Sequence, residues 1–267
     1  MNQRQPPAAT APAAQRRPRI KKSNAEKAAS EQEHLSLVLS AAETTINILR
    51  QHKFPAAIFG SLACKLYGNS RCPKDADILV FPPSNDIEPE ILKRLIVAAA
   101  PRLFYLKNAR DPAATYRILW FRQSHPHRRR ETKVDILVPG IMSLPVIPLS
   151  RIRWTSSLPL APFPFILLHK LKGWADHRAA PETFKRVRQT TDAADVRRLL
   201  DIHAEMRVLQ ALPSWWTDPE LFDEELQADS VVRVQQYCSE FPGRAERWRS
   251  LGFDVPEPDS VAVAVPS

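Results

Sequence analysis

Two aspartates, Asp75 and Asp77, stand at alternate positions at the head of an apolar run, Ile78-Leu79-Val80. In an extended strand, side chains at i and i+2 share a face, so these carboxylates lie side by side. Ionised carboxylates held this close repel unless a cation sits between them, and such hard oxygen donors suit Mg²⁺ or Mn²⁺. A third acid, Asp135, occupies a matching setting in Val134-Asp135-Ile136-Leu137-Val138. If its strand neighbours that of Asp77, three carboxylates converge on one point at a sheet edge. Upstream, Phe59-Gly60-Ser61 reads as a strand end turning into a helix. Gly60 lets backbone approach a ligand closely, and the amides that follow point from a helix N-terminus, which favours anions. Phosphate oxygens met by amides on one side and by a carboxylate-held cation on the other are positioned for in-line attack, so the chemistry expected is phosphoryl or nucleotidyl transfer.

The elements that must hold these groups can be read from periodicity. Leu35, Val38, Leu39, Ala42, Ile46 and Leu49 recur at helical spacing and predict an amphipathic helix from Glu31 to His52. A strand at Ala56–Phe59, a helix at Leu62–Tyr67, a strand at Ala76–Phe81 and a helix at Ile87–Ala100 follow, the second strand stopped by Pro82-Pro83. Three further strands are expected at Leu103–Lys107, Thr115–Phe121 and Lys133–Val138, with a basic loop over Gln123–Arg130. After Gly140 a proline-rich connection leads into helices at about Phe165–His177, Thr191–Ala211 and Glu220–Phe241. The fold class is therefore α+β: a small mixed sheet with flanking helices at 31–150 and a helical domain at 151–253, between tails at 1–30 and 254–267.

The 267 residues suffice for a buried core, and no apolar run reaches the roughly 18 residues that a membrane span requires. The first thirty residues lack the apolar stretch of a signal peptide, and three cysteines without metal-ligand spacing read as reduced thiols, so an intracellular protein, cytoplasmic or nuclear, is expected. The formal charge of +9 is concentrated in two places. Residues 1–30 carry seven basic groups against one acid, and residues 107–133 carry eight against two. The first reads as a disordered tail, and the second suits a polyanionic acceptor such as RNA or else a solubilising loop. His125 and His127, flanking a proline there, read as solvent-exposed rather than as ligands, and the six tryptophans as packing anchors.

The stretch from Phe59 through Gly60-Ser61, Tyr67-Gly68, Arg71 and Asp75-Ala76-Asp77 resembles the signature of the nucleotidyltransferase superfamily related to DNA polymerase beta. It is most similar to the branch holding AbiEii-type toxins and minimal nucleotidyltransferases. The resemblance extends through Leu167-Leu168-His169-Lys170-Leu171-Lys172 and Asp192-Ala-Ala-Asp195, so it covers about residues 55–203. It implies that Asp75, Asp77 and Asp135 hold Mg²⁺ or Mn²⁺, that Gly60 and Ser61 contact the phosphates of an NTP, and that Lys170 faces the site. Departures are Ser61 in place of a second glycine, Ala76 between the aspartates where isoleucine is common, and the long basic loop before Asp135.

Other readings of these residues stay open. Arg71 and Lys74 either neutralise a triphosphate or pair with Asp75 and Asp77. Ser61 either donates to phosphate or caps the next helix. Lys170 and Lys172 point apart, so at most one faces the site. Asp192 and Asp195 read as helix-start capping residues. The function expected is a metal-dependent transfer of a nucleoside monophosphate from an NTP to a hydroxyl on RNA, a protein or a small molecule. The alternatives are a non-catalytic nucleotide- or RNA-binding member of the same fold, and a basic RNA-binding adaptor working through the tail and Arg128–Arg130.

Overall fold

The computed structural model describes residues 23–84, 87–109, 114–124, 130–140 and 144–256. Ser23 opens the first helix, α1 (Asn24–Gln51): its hydroxyl accepts from the Glu26 amide while the Glu26 carboxylate accepts from the Ser23 amide. This reciprocal capping satisfies two otherwise orphaned donors, so the helix begins at Asn24 and residues 24–30 belong to it rather than to a disordered tail. The rest of that expected tail, and of the one beyond 256, lies outside the described residues, as do His125 and His127.

Seven strands form one mixed sheet: β1 (Ala56–Phe59), β2 (Ala76–Val80), β3 (Phe104–Asn108), β4 (Arg117–Gln123), β5 (Arg130–Leu137), β6 (Arg153–Thr155) and β7 (Leu158–Leu160). Their order is β3-β4-β5-β2-β1-β7-β6. The apolar run of β2 lies at the centre and pairs antiparallel with β1 and parallel with β5. Strands of this kind, covered on both faces, need apolar residues at most positions, and Ile78, Leu79 and Val80 are all buried. Helix α2 (Gly60–Tyr67) follows β1 directly, and α3 (Pro89–Ala99) lies between β2 and β3. Helix α1 packs against β1, β2, β4 and β5. Arg130, expected in the basic loop, opens β5 instead and donates to the Glu33 carbonyl of α1.

The sheet runs past residue 150. What reads as a proline-rich connection contains the β6–β7 hairpin, whose turn residues Ser156 and Ser157 adopt left-handed φ values of 48° and 69°. Two consecutive positive φ values give a tight turn whose twist matches that of its strands. Strand β7 then joins β1 in parallel, with the Ala161 amide donating to Ile58 O, so the expected boundary at 150 falls before the last two strands.

The helical part follows without a break in the core: α4 (Phe163–Ala179), α5 (Thr183–Arg186), α6 (Gln189–Leu200), α7 (His203–Gln210), α8 (Glu224–Glu240) and α9 (Ala245–Arg249). Helix α4 packs on α2, α6 and α8, and Trp174 meets Tyr237 edge-on at 5.1 Å. The single helix expected over Thr191–Ala211 is broken, because Ile202 leaves the helical region (φ −81°, ψ 86°) between α6 and α7. Trp174, Trp215 and Trp248 are buried anchors, whereas Trp154 on β6 is 60% exposed. Among the described residues, no helix is long and apolar enough to cross a membrane.

Candidate active site

The pairing of β2 with β5 decides the site. The register sets Asp77 opposite Asp135, and in a parallel pair such neighbours share a face. Asp75 lies two residues before Asp77, and all three line one cavity of about 470 Å³. The cavity floor is thus the centre of the sheet, where β2 and β5 run, and not a sheet edge. Its opposite wall is α4, which contributes Ile166, His169, Lys170, Gly173 and His177. Arg188 and Asp192 also line it, with Lys133 from β5 and Lys93 from α3. A separate apolar hollow of about 330 Å³ beside Leu149 and Trp154 has no carboxylate in its lining.

Gly60 explains itself once the site is assembled. It opens α2 with φ +58°, and a Cβ placed there would sit 2.0 Å from Asp77 Oδ2. Neither the backbone angle nor the space admits a side chain, and Gly60 itself lines the carboxylate-bearing cavity. Phe59, the N-cap residue, supplies no side-chain bond, so that helix start is uncapped from within the chain.

Electrostatics in the cavity are strained in the metal-free state. Burial, with Asp75 and then Asp135 beside it, pushes the Asp77 carboxyl up to about 7. Burial also raises the Asp135 carboxyl, although the Lys133 ammonium contacts it and works the other way. Among the described residues, no group of three His, Cys, Asp or Glu side chains stands ready to hold a metal ion. The three carboxylates therefore share a cavity without forming a three-donor cluster, and Lys133 engages Asp135. Their donor chemistry fits a hard divalent cation, since all are carboxylates on one face and the charge they accumulate is what such an ion relieves.

Behind the cavity lies a buried ion-pair node that the sequence did not reveal. Asp195 is fully buried inside α6 and accepts from Arg71 Nε at 2.7 Å and Arg71 Nη2 at 2.5 Å. Lys170 Nζ approaches the same carboxylate at 3.4 Å. Burial alone would raise Asp195, but Arg71 and Lys170 overcome it and hold the carboxyl below the usual range. Asp195 is thus no helix cap. Nor does Arg71 pair with Asp75 or Asp77; it donates to the Ser61 hydroxyl at 2.7 Å, and Lys170 reaches that hydroxyl at 3.4 Å. Ser61 caps nothing: its oxygen is held by two cations at the start of α2.

Lys170 faces the cavity as expected from its place on α4, while Lys172 pairs with Asp176 at 2.6 Å on the outer surface. Burial would lower the Lys170 ammonium, yet surrounding negative charge, including Asp195, Asp192 and Asp77, raises it, so it stays protonated. Lys74 is exposed and lines a different hollow with His34 and Cys72. Lys93, Lys133, His169, Gly173, His177 and Arg188 were not singled out from sequence. The spacing of His169, Lys170, Gly173 and His177 along one helical face is the signal that carried four positions of the wall, counting Lys170.

The fold and this cleft define a nucleotidyltransferase-like architecture. The structure superposes on the crystal structure of an antigenic nucleotidyltransferase-like protein from Paracoccidioides brasiliensis with a TM-score of 0.55 at 15% identity, over 86% of this chain and 97% of that one. A nucleotidyltransferase candidate from H. pylori aligns over 85% of this chain and 83% of that one at 15% identity, with a TM-score of 0.43, too loosely to argue from. No family model matches the sequence, and neither does any curated protein.

Proposed function

We propose that the chain transfers a nucleoside monophosphate from an NTP to a hydroxyl acceptor, in the manner of the AbiEii and minimal nucleotidyltransferase branch that its motifs resemble. The observation that carries this reading is the parallel register of Asp77 and Asp135, with Asp75 on the same face and Gly60 against Asp77. A divalent cation, Mg²⁺ or Mn²⁺, held by Asp75, Asp77 and Asp135, would neutralise the phosphate charge and polarise the phosphoryl group. The amides at the start of α2, opened by Gly60, meet phosphate oxygens, and Ser61 is held ready to donate by Arg71 and Lys170. Lys170, kept protonated, adds a fixed positive charge to that end. Asp135, on the same face as Asp77, takes the proton of the acceptor hydroxyl. The acceptor oxygen bonds to the α-phosphorus, the bond to the bridging oxygen breaks, and pyrophosphate leaves.

The test is transfer of α-labelled NTP, or pyrophosphate release, with and without Mg²⁺. Turnover by the unaltered chain that falls at least a hundredfold in Asp77→Asn is expected; a variant as active as the parent overturns the assignment. A second reading, nucleotide binding without turnover, draws on the Lys133 contact with Asp135, which occupies the carboxylate needed as proton acceptor. Metal-dependent nucleotide binding with no pyrophosphate release favours it.

A further inference from the structure

Gly173 lies inside a 17-residue helix, where glycine is destabilising by about 1 kcal/mol relative to alanine. Nothing local requires it. Its φ is not left-handed, and a Cβ built on it meets no atom within 4 Å. The open space beside it is the active-site cavity, between Lys170 at one end and His177 at the other. Seven residues of helix separate those two side chains by about 10 Å, which matches the reach from a nucleotide's phosphates to its base.

His177 is itself oriented. Its Nδ1 lies 2.6 Å from Asp192 Oδ2. An ionised carboxylate only accepts, so Nδ1 carries the proton and, in the neutral ring, Nε2 is left as a hydrogen-bond acceptor on a residue that lines the cavity. The wall thus offers open space beside Gly173 and, one turn on, a ring whose tautomer Asp192 sets. A planar heterocycle bearing an N–H donor fits that arrangement.

We infer that the α4 wall between Lys170 and His177 is the nucleobase subsite, with Gly173 leaving room for the ring and His177, turned by Asp192, accepting from an exocyclic amino group. The inference rests on the nucleotidyltransferase reading and adds to it a preference for amino-bearing bases. Lys170 marks the phosphate end, so a triphosphate seated at Gly60 and Ser61 directs its base along α4 toward His177.

The experiment compares each amino base with its carbonyl counterpart, ATP with ITP and CTP with UTP, by kcat/KM in the full chain with Mg²⁺. The unaltered chain favours the amino nucleotide at least fivefold in the pair it uses better. His177→Leu brings that pair within twofold, and Gly173→Leu raises KM at least tenfold, more than it lowers kcat. Gly173→Ala raises the melting temperature, as alanine is the better helix former. The inference is overturned if both leucine variants keep parental KM values and base ratios, if Gly173→Ala lowers the melting temperature, or if discrimination follows the 2′-hydroxyl, read with 2′-deoxy-ATP, instead of the base. Absence of any nucleotide binding or turnover by the unaltered chain overturns the proposed function as well, which separates the two failures.

Discussion

Asp77 is placed where its own charge is least welcome, half-buried between Asp75 and Asp135 and against Gly60. A carboxyl raised to about 7 binds its proton more tightly folded than unfolded, so ionising it opposes folding. The penalty is absent near pH 4, grows as pH rises, and is complete above pH 7. Asp77→Asn therefore stabilises the metal-free protein by about 1–3 kcal/mol at pH 8, while removing activity, and the gain vanishes toward pH 4. Urea unfolding at the two pH values measures this. Asp195 has the opposite sign. Its carboxyl is held below the ordinary range, so its contribution is present above about pH 4 and is lost as pH falls through the folded value. Asp195→Asn leaves Arg71 and Lys170 without their shared anion and lowers stability by about 2–4 kcal/mol at pH 7. Its acid-unfolding curve below pH 4 is correspondingly flatter than that of the parent.

Elements show how far local pattern carries. Strands β1 and β2, helices α2 and α3 and the end of α1 lie within a few residues of where periodicity puts them, helped by local signals such as Pro82-Pro83 after β2. The start of α1 was missed because basic and small residues around it drown a four-residue capping signal. Ser23→Ala removes that cap and weakens the first turns of α1 by about 1 kcal/mol, seen as faster amide exchange over 24–30 with little change in global melting. The β6–β7 hairpin escaped for a different reason: Pro159 sits inside β7 and the turn is Ser156-Ser157, not a glycine pair. A strand containing proline is tolerated at the margin of a sheet, and β7 has only the three-residue β6 beyond it.

At the scale of the whole molecule, sheet and helices share one core. Tyr67 donates to Ala161 O at 2.7 Å, Phe59 packs on Phe165 at 5.6 Å, and Arg71 from the α2 side is locked to Asp195 on α6. A chain cut after residue 150 strips β7 from β1, exposes β1 as an unpaired edge and uncovers the apolar face on which α4 rests. Such a fragment is expected to lose the cooperative thermal transition of the full chain and to aggregate; a sharp unfolding transition in the fragment contradicts a shared core. The candidate active-site cavity has the same character, since Asp77, Asp135 and Lys133 stand on the sheet and Lys170, His177 and Asp192 on the helices.

The candidate aspartates and Gly60 were legible in the amino-acid sequence because strand alternation and a strand-to-helix glycine are local rules that a few neighbouring residues enforce, whereas Lys170 was pointed to by the family resemblance and not by spacing. That Asp135 stands beside Asp77 depended on β5 choosing β2 as its parallel partner across more than fifty intervening residues, which no local rule dictates. The roles of Arg71, Asp192 and Asp195 were decided by the packing of α6 against α4, which buried one aspartate between two cations and turned the other toward His177. Sequence determined which charged and polar groups were available; only the tertiary structure decided which of them line the cavity and which hold the others in place, because burial and these ion pairs arise between elements.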